Sequence, residues 1–408
     1  FGGMLNDGST MTLIGHNVLF RGGPGTVYGP TNQNLYAVTY TFDTATHEYN
    51  PIEPCIVDTS NVTYNIHGGN NLFDLCSNTF HMSRDGTNVY SFKYISSGNE
   101  LHFTRRLEQD NIQSNLIYSY SSDSEASISN KFIINISSDT SGHIYVFRGR
   151  DPFKDASPKL QYIKSQSNPP DFTVSLRAEE ISNLSSDGIS SYSTNIGITG
   201  FVVSGDGTRA ILPDSVGSVD SLVYVLSLDP TGTNNATVTH DISQVDIIRS
   251  MDNRLDLNER DDNGNHAFFG AQVDMTEDGN RVAIVSHGRV SIFDIGGNND
   301  IIQVGSAISN GTFGLDQLRQ RYFAMFGVSM NKDGTIVARL GLNGSGDGST
   351  ADQSGVAAVY KLNESNEWVQ MGSDISWRGN YDERASVSGI RKMIQLDDLG
   401  TTMVIGYP

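Results

Sequence analysis

Apolar and polar residues alternate in short runs along this chain, and the runs come in pairs joined by a turn built on Asp-Gly or a close variant. The clearest pair lies within residues 322–375. Phe326, Val328 and Met330 alternate with smaller residues up to Asn331-Lys332-Asp333-Gly334, and residues 336–340 return as a β-rich run. Period-two alternation broken by Asp-Gly predicts a hairpin, because glycine supplies the positive φ of a tight turn. Residues 356–360 predict a third strand, and 363–366 turn the chain into a fourth at 368–371. A single four-stranded meander cannot bury both its faces. It must stack on others of its kind.

Degraded copies of this hairpin recur from end to end, starting near residues 1, 75, 130, 196, 267, 324 and 387. The turns are Asn6-Asp7-Gly8, Arg84-Asp85-Gly86, Asp139-Thr140-Ser141-Gly142, Gly205-Asp206-Gly207, Glu277-Asp278-Gly279, Asp333-Gly334 and Asp397-Asp398-Leu399-Gly400. In the third copy the outer strands are expected near 160–163 and 172–176, and in the fourth the last strand near 236–241. A spacing of roughly 55–80 residues is too long for solenoid turns and suits propeller blades. The expected architecture is all-β, one domain over 1–408: a seven-bladed β-propeller of four-stranded antiparallel blades, the last incomplete. The copy from Ile390 holds only two inner strands, and Phe1 already begins the first copy. The missing outer strands are expected from sequence beyond residue 408 or from a neighbouring subunit by strand addition.

Composition narrows the partners. The formal charge of −19 over 408 residues, with basic pairs only at Arg105-Arg106 and Arg391-Lys392, argues against nucleic acid. No apolar run has transmembrane length, and a start on Phe1 reads as a processed or partial chain. Cys55 and Cys76 stand too far apart, and without paired histidines, for a metal site. A disulfide is expected, which would suit an oxidising compartment and requires Cα atoms within about 7 Å.

At Phe269-Gly270, Phe326-Gly327-Val328-Ser329 and the closing Ile405-Gly406-Tyr407-Pro408, the repeat resembles the FG-GAP blade of integrin-α-like propellers. Residues 368–375 resemble the outer strand of that repeat's algal and bacterial relatives. The resemblance implies a propeller used for adhesion or structure. It also implies a calcium loop, DxDxDGxxD, between the first two strands of a blade, and here a short Asp-Gly turn stands in that place. The fold is therefore expected to carry over and the metal is not.

Other candidate chemistry is sparse. Asp252, Asp256, Asp261, Asp262 and Gly264 form the densest acidic run, and Asn343, Asp347 and Asp352 a second; either could offer oxygens to calcium, but a solvated loop explains both. His240, Asp241 and Ser243 are neighbours in sequence without the pattern of a nucleophile elbow. Sequons stand at Asn61, Asn135, Asn183, Asn235, Asn310, Asn343 and Asn363. About six would arise by chance in so Asn-, Ser- and Thr-rich a chain, so placement matters more than number. Asn135 falls in an expected strand and is set aside, leaving the other sequons as candidate glycan sites.

The sequence thus points to an extracellular or cell-surface structural or adhesive module. Its expected partners are protein subunits or glycans, with assembly by strand addition; no cofactor, resident metal or catalytic residue is expected. The alternative is a propeller hydrolase or lactonase with its site at the central channel.

Overall fold

In a computed structural model, the described residues are the strands given below together with residues 45–46, 139–141, 204–208, 272, 276–280, 296, 304–307, 331–335, 363–367 and 397–402. Side chains are described within parts of 137–141, 202–225, 272–308, 327–341, 356–376 and 394–405. All the described regular structure is β, in antiparallel sheets whose strands follow one another in chain order. The chain forms two compact units, Phe1–Asn130 and Lys131–Pro408.

The first unit holds two sheets. One runs Gly2–Met4, Thr10–His16, Leu35–Asp43 and Glu48–Pro51, with Cys55–Asp58 also pairing the third strand; the other runs Phe80–Met82, Asn88–Ile95, Gly98–Leu107 and Asn111–Ser121. Their inner strands touch.

The second unit holds five sheets. The third sheet of the chain is Ile133–Ser138, Ile144–Gly149, Leu160–Lys164 and Glu179–Ile181, and the fourth is Val202–Val203, Arg209–Asp214, Leu222–Ser227 and Asp246–Arg249. The strands expected near 172–176 and 236–241 are outside the described residues. The fifth sheet is Val273–Met275, Arg281–Ser286, Arg289–Ile295 and Ile301–Gln303, with Ile308–Ser309 returning to the third strand. The sixth is Gly327–Met330, Ile336–Asn343, Ser354–Leu362 and Trp368–Arg378, and the seventh is the pair Ile394–Leu396 and Met403–Ile405.

Consecutive sheets of this unit stack through their inner strands. Because side chains alternate across a strand, a sheet stacked on both sides must be apolar at every position, which accounts for the unbroken run Val282–Val285. Val282 and Ile284 pack with Ile211, Val223 and Val225 of the fourth sheet; Ala283 and Val285 pack with Val328 and Val337 of the sixth. Ile211 and Ile284 are fully buried, and burying one such side chain is worth about 1.5–3 kcal/mol. The sixth sheet meets the seventh through Ile336, Ala338, Leu340 and Ala357 against Ile394 and Leu396.

A second system of contacts runs through the hairpin tips. Within the turns of the fourth to seventh sheets the first residue's carbonyl accepts the glycine N–H, as in Gly334 N to Asn331 O at 3.0 Å and Gly279 N to Thr276 O at 3.1 Å. Between turns, backbone amides reach the next sheet: Thr140 N donates to Gly205 O at 2.8 Å, Asp206 N to Glu277 O at 3.0 Å, Glu277 N to Lys332 O at 3.2 Å and Lys332 N to Asp398 O at 3.1 Å. The tips thus form a relay of backbone hydrogen bonds from the third sheet to the seventh. One layer inward, the side chains of Ser137, Asp274 and Ser329 accept the buried N–H groups of Val203, Met330 and Leu396, each on the sheet that follows.

This relay demands close approach at the turn glycine. Gly334 has φ +67°, and a Cβ there would lie 2.6 Å from Thr276 Cγ2 and 2.7 Å from Arg281 Cδ of the preceding sheet. Arg281 Nη1 donates to the Gly334 carbonyl at 3.0 Å, and Arg209 Nη1 does the same to Gly279 at 3.1 Å. Gly372 has a similar φ of +70°, with nothing within 4 Å of an added Cβ. Gly372→Ala should therefore cost only the left-handed strain, about 1–2 kcal/mol, whereas Gly334→Ala should cost that plus about 1–3 kcal/mol of overpacking. Urea denaturation of the two variants checks the difference, and equal costs would contradict packing at the tip.

Candidate functional site

The turn carboxylates are the first place to look for chemistry. Asp333 Oδ1 accepts from Asn331 Nδ2 at 2.7 Å, Thr335 N at 3.0 Å and Thr335 Oγ1 at 2.6 Å. Asp206 Oδ1 takes Ser204 Oγ, Thr208 N and Thr208 Oγ1, and Asp278 takes Thr276 Oγ1, Asn280 N and Asn280 Nδ2. These oxygens close the turn on itself. In the seventh sheet Leu399 stands where the fourth to sixth have Asp, and Asp397 at the head of the turn takes over, accepting from Thr401 N at 2.7 Å and Thr402 N at 3.0 Å.

For Asp278 and Asp333, partial burial works to raise the pKa, but the donors outweigh it and hold both carboxyls below their ordinary value. Lys332 is held above its ordinary value, chiefly by its hydrogen bond to Glu277 at 2.7 Å. Among the described residues no group of three or more His, Cys, Asp or Glu is placed to hold a metal ion.

Arg339, on the second strand of the sixth sheet, is a buried cation that pattern reading missed. It is 4% exposed; its Nε donates to Tyr360 Oη at 3.1 Å, and its guanidinium carbon sits 5.5 Å from that ring's centre. Among the described residues Nη1 has no hydrogen-bond partner. Only its place in an otherwise apolar alternation, between Ala338 and Leu340, could have flagged it.

The other feature is an apolar surface on the fourth strand of the sixth sheet. Met371 pairs with Val359 and Ile375 with Ala357, so their side chains share the face that Ile394 and Leu396 cover further in. Met371 is 44% and Ile375 49% exposed. At the same positions of the fifth sheet, Val304 and Ile308 are 3% and 4% exposed, buried under Tyr360, Leu362 and Trp368. The cover over the fifth sheet is supplied by the third and fourth strands of the sixth.

Of the sequence candidates, Asn363 lies on an exposed turn between the third and fourth strands of the sixth sheet. Its Oδ1 accepts from Ser365 N and Glu367 N, leaving Nδ2 with a 3.5 Å contact to Glu367. Asn343 ends the second strand of that sheet and Asn135 lies in the third sheet. Cys55 begins a strand of the first sheet. Cys76, Asn61, Asn183, Asn235, Asn310, the acidic run 252–264, Asp347, Asp352 and residues 240–243 lie outside the described residues.

The stacked four-stranded meanders of the second unit are blades, and the class they define is the β-propeller. No protein-family model matches the chain, and neither does any curated protein, so the FG-GAP resemblance gains no support. Solved structures similar to this one include the periplasmic gluconolactonase PpgL of Pseudomonas aeruginosa, at 14% identity and TM-score 0.45 over 91% of this chain and 84% of that one. Others are a Bacteroides fragilis protein provisionally assigned as a 6-phosphogluconolactonase, at 11% and 0.44 over 92% and 83%, and the Dos1 propeller, at 11% and 0.44 over 91% and 73%. At such values the likeness carries no argument about activity.

A carboxyl whose folded pKa is depressed contributes stability that is full above its unfolded value, about 3.9, and is lost as pH falls through the folded value. Replacing Asp278 and Asp333 together by Asn should therefore lower the urea midpoint at about pH 6 and matter progressively less toward about pH 3. A deficit that stays constant over that range would contradict the account.

Proposed function

We propose that this chain is a non-enzymatic structural or adhesive module: a seven-bladed propeller, acting outside the cell or at its surface, that assembles with another polypeptide. The observation carrying this reading is the half-exposed pair Met371 and Ile375, whose counterparts Val304 and Ile308 one blade earlier are buried. Apolar area left open at the edge of a stacked core favours association, because removing it from water contributes about 25 cal/mol per Å². Asn363, exposed on its turn, fits a glycan-bearing surface. A Cys55–Cys76 disulfide belongs to the same reading.

A second reading is a hydrolase or lactonase working at the central channel, the kind of activity for which PpgL and the Bacteroides fragilis protein are named. It requires Asp, Glu, Asn or His side chains converging at one channel mouth.

Light scattering across a concentration series separates the two. The assembly reading expects association that the double variant Met371→Glu, Ile375→Glu abolishes without loss of folding. A chain that is monomeric at every concentration and opens gluconolactone would establish the second reading instead.

A further inference from the structure

The sixth sheet carries a buried charge where its neighbour carries none. Aligning the turns at 276–279 and 331–334 puts the fifth and sixth sheets in correspondence, and Arg339 then stands where the fifth has Ile284. In both sheets a second-strand valine pairs with an aromatic residue of the third strand, Val282 with Phe293 and Val337 with Tyr360. The fifth sheet fills the two positions with Ile284 and Phe293, 0% and 3% exposed, so the stack accepts a wholly apolar pair there. The sixth has arginine and tyrosine together instead, and the phenol oxygen that distinguishes Tyr360 from Phe293 is the atom that Arg339 Nε bonds, at 3.1 Å. A local rule broken twice at one place, with no need of the fold behind it, points to function.

The surroundings of Arg339 leave its charge unanswered. It shares the face of Val337, and its strand partners Val328 and Ala358 belong with Tyr360 to the apolar core against the fifth sheet. That sheet supplies Ala283, Val285, Val290 and Ile292, none with a side-chain acceptor. Asp274, buried on its first strand, gives Oδ2 to Met330 N. Among the described residues Nη1 has no hydrogen-bond partner. A guanidinium keeps its proton, and a buried one without a counter-charge is strongly unfavourable.

We propose that Arg339 Nη1 and the Tyr360 hydroxyl form a buried seat for one carboxylate. Tyr360 Oη accepts from Nε and keeps its own hydrogen to give, so both groups are donors and the occupant must accept. Water would accept the bonds and leave the charge uncompensated. A dianion would turn a buried excess of one positive charge into an excess of one negative. A carboxylate has a single charge and two oxygens, one for each donor. The same chemistry has two sources, a free carboxylate ligand or an Asp or Glu side chain of this chain, and the experiment separates them. The seat does not depend on the assembly reading.

The probe is sodium acetate, replacing sodium chloride at constant ionic strength, in urea denaturation of the full 408-residue chain and its Arg339→Met and Tyr360→Phe variants. For a free carboxylate, acetate at a hundred times Kd raises the folded-to-unfolded ratio of the unsubstituted chain about a hundredfold. Arg339→Met abolishes that rise, and Tyr360→Phe, which carries the comparison should Arg339→Met fail to fold, raises Kd at least about tenfold. For a side chain of this chain, acetate has no effect and Arg339→Met lowers the ratio at least about a hundredfold, the scale of breaking a buried pair. One Asp→Asn or Glu→Gln substitution, found by scanning in the Arg339→Met background, then restores stability, or folding itself if that was lost, because removing both charges of a buried pair is close to neutral. Without an acetate response, the seat is overturned if Arg339→Met leaves stability unchanged or if no carboxylate removal restores it. An acetate response that Arg339→Met leaves intact overturns it equally.

Discussion

The second unit depends on one constraint: backbone amides at the hairpin tips must find acceptors on the next sheet. A turn that protrudes into water would satisfy its own N–H groups with solvent. Here Thr140, Asp206, Glu277 and Lys332 donate across the gap instead, and the side chains of Ser137, Asp274 and Ser329 repeat the connection one layer in. Each bond adds only about 0.5–1.5 kcal/mol net, but a buried amide left without its partner costs about 1–3 kcal/mol. The relay therefore fixes the spacing and register of sheets that hydrophobic packing alone would hold together without specifying. The turn glycines and the arginines that reach them, Arg209 and Arg281, follow from that spacing.

The hairpins were legible in the sequence because their requirement is local. A positive φ after a residue whose side chain accepts the turn's own donors selects Asp-Gly in the fourth, fifth and sixth sheets, and sheets five and six stand where the pattern placed them. The relay was not legible, because it is made by backbone atoms: Thr140, Gly205, Glu277, Lys332 and Asp398 share no side-chain chemistry at equivalent tip positions. The outer strands Glu179–Ile181 and Asp246–Arg249 were not legible for a related reason. A strand that pairs on one edge only is set by its neighbour's register more than by its own composition.

The exposed strand around Gly372 on the sixth sheet lies between these cases. The near-identity of Gln303–Ser309 and Gln370–Ser376 is visible in the sequence, but its meaning needs the burial of one copy set against the exposure of the other. Gly305 is demanded twice over on the fifth sheet, by its φ and by the Trp368 indole upon it, and Gly372 only by its φ on the sixth. Arg339 shows the limit of pattern reading from the other side. A charge inside an apolar alternation predicts an outward-facing residue, and here it is buried with Tyr360.

Amide hydrogen exchange resolved to single residues at Thr140, Asp206, Glu277 and Lys332 tests the relay most directly. The side chains of Thr140, Asp206 and Lys332 are exposed, so an ordinary surface turn would leave these amides nearly unprotected. If the tips are bonded across the sheets as described, the four amides exchange as slowly as those of the buried strand 282–285, while that of Ser365, bonded only within its exposed turn, exchanges far faster. Tip amides that exchange at the rate of Ser365 would contradict the relay.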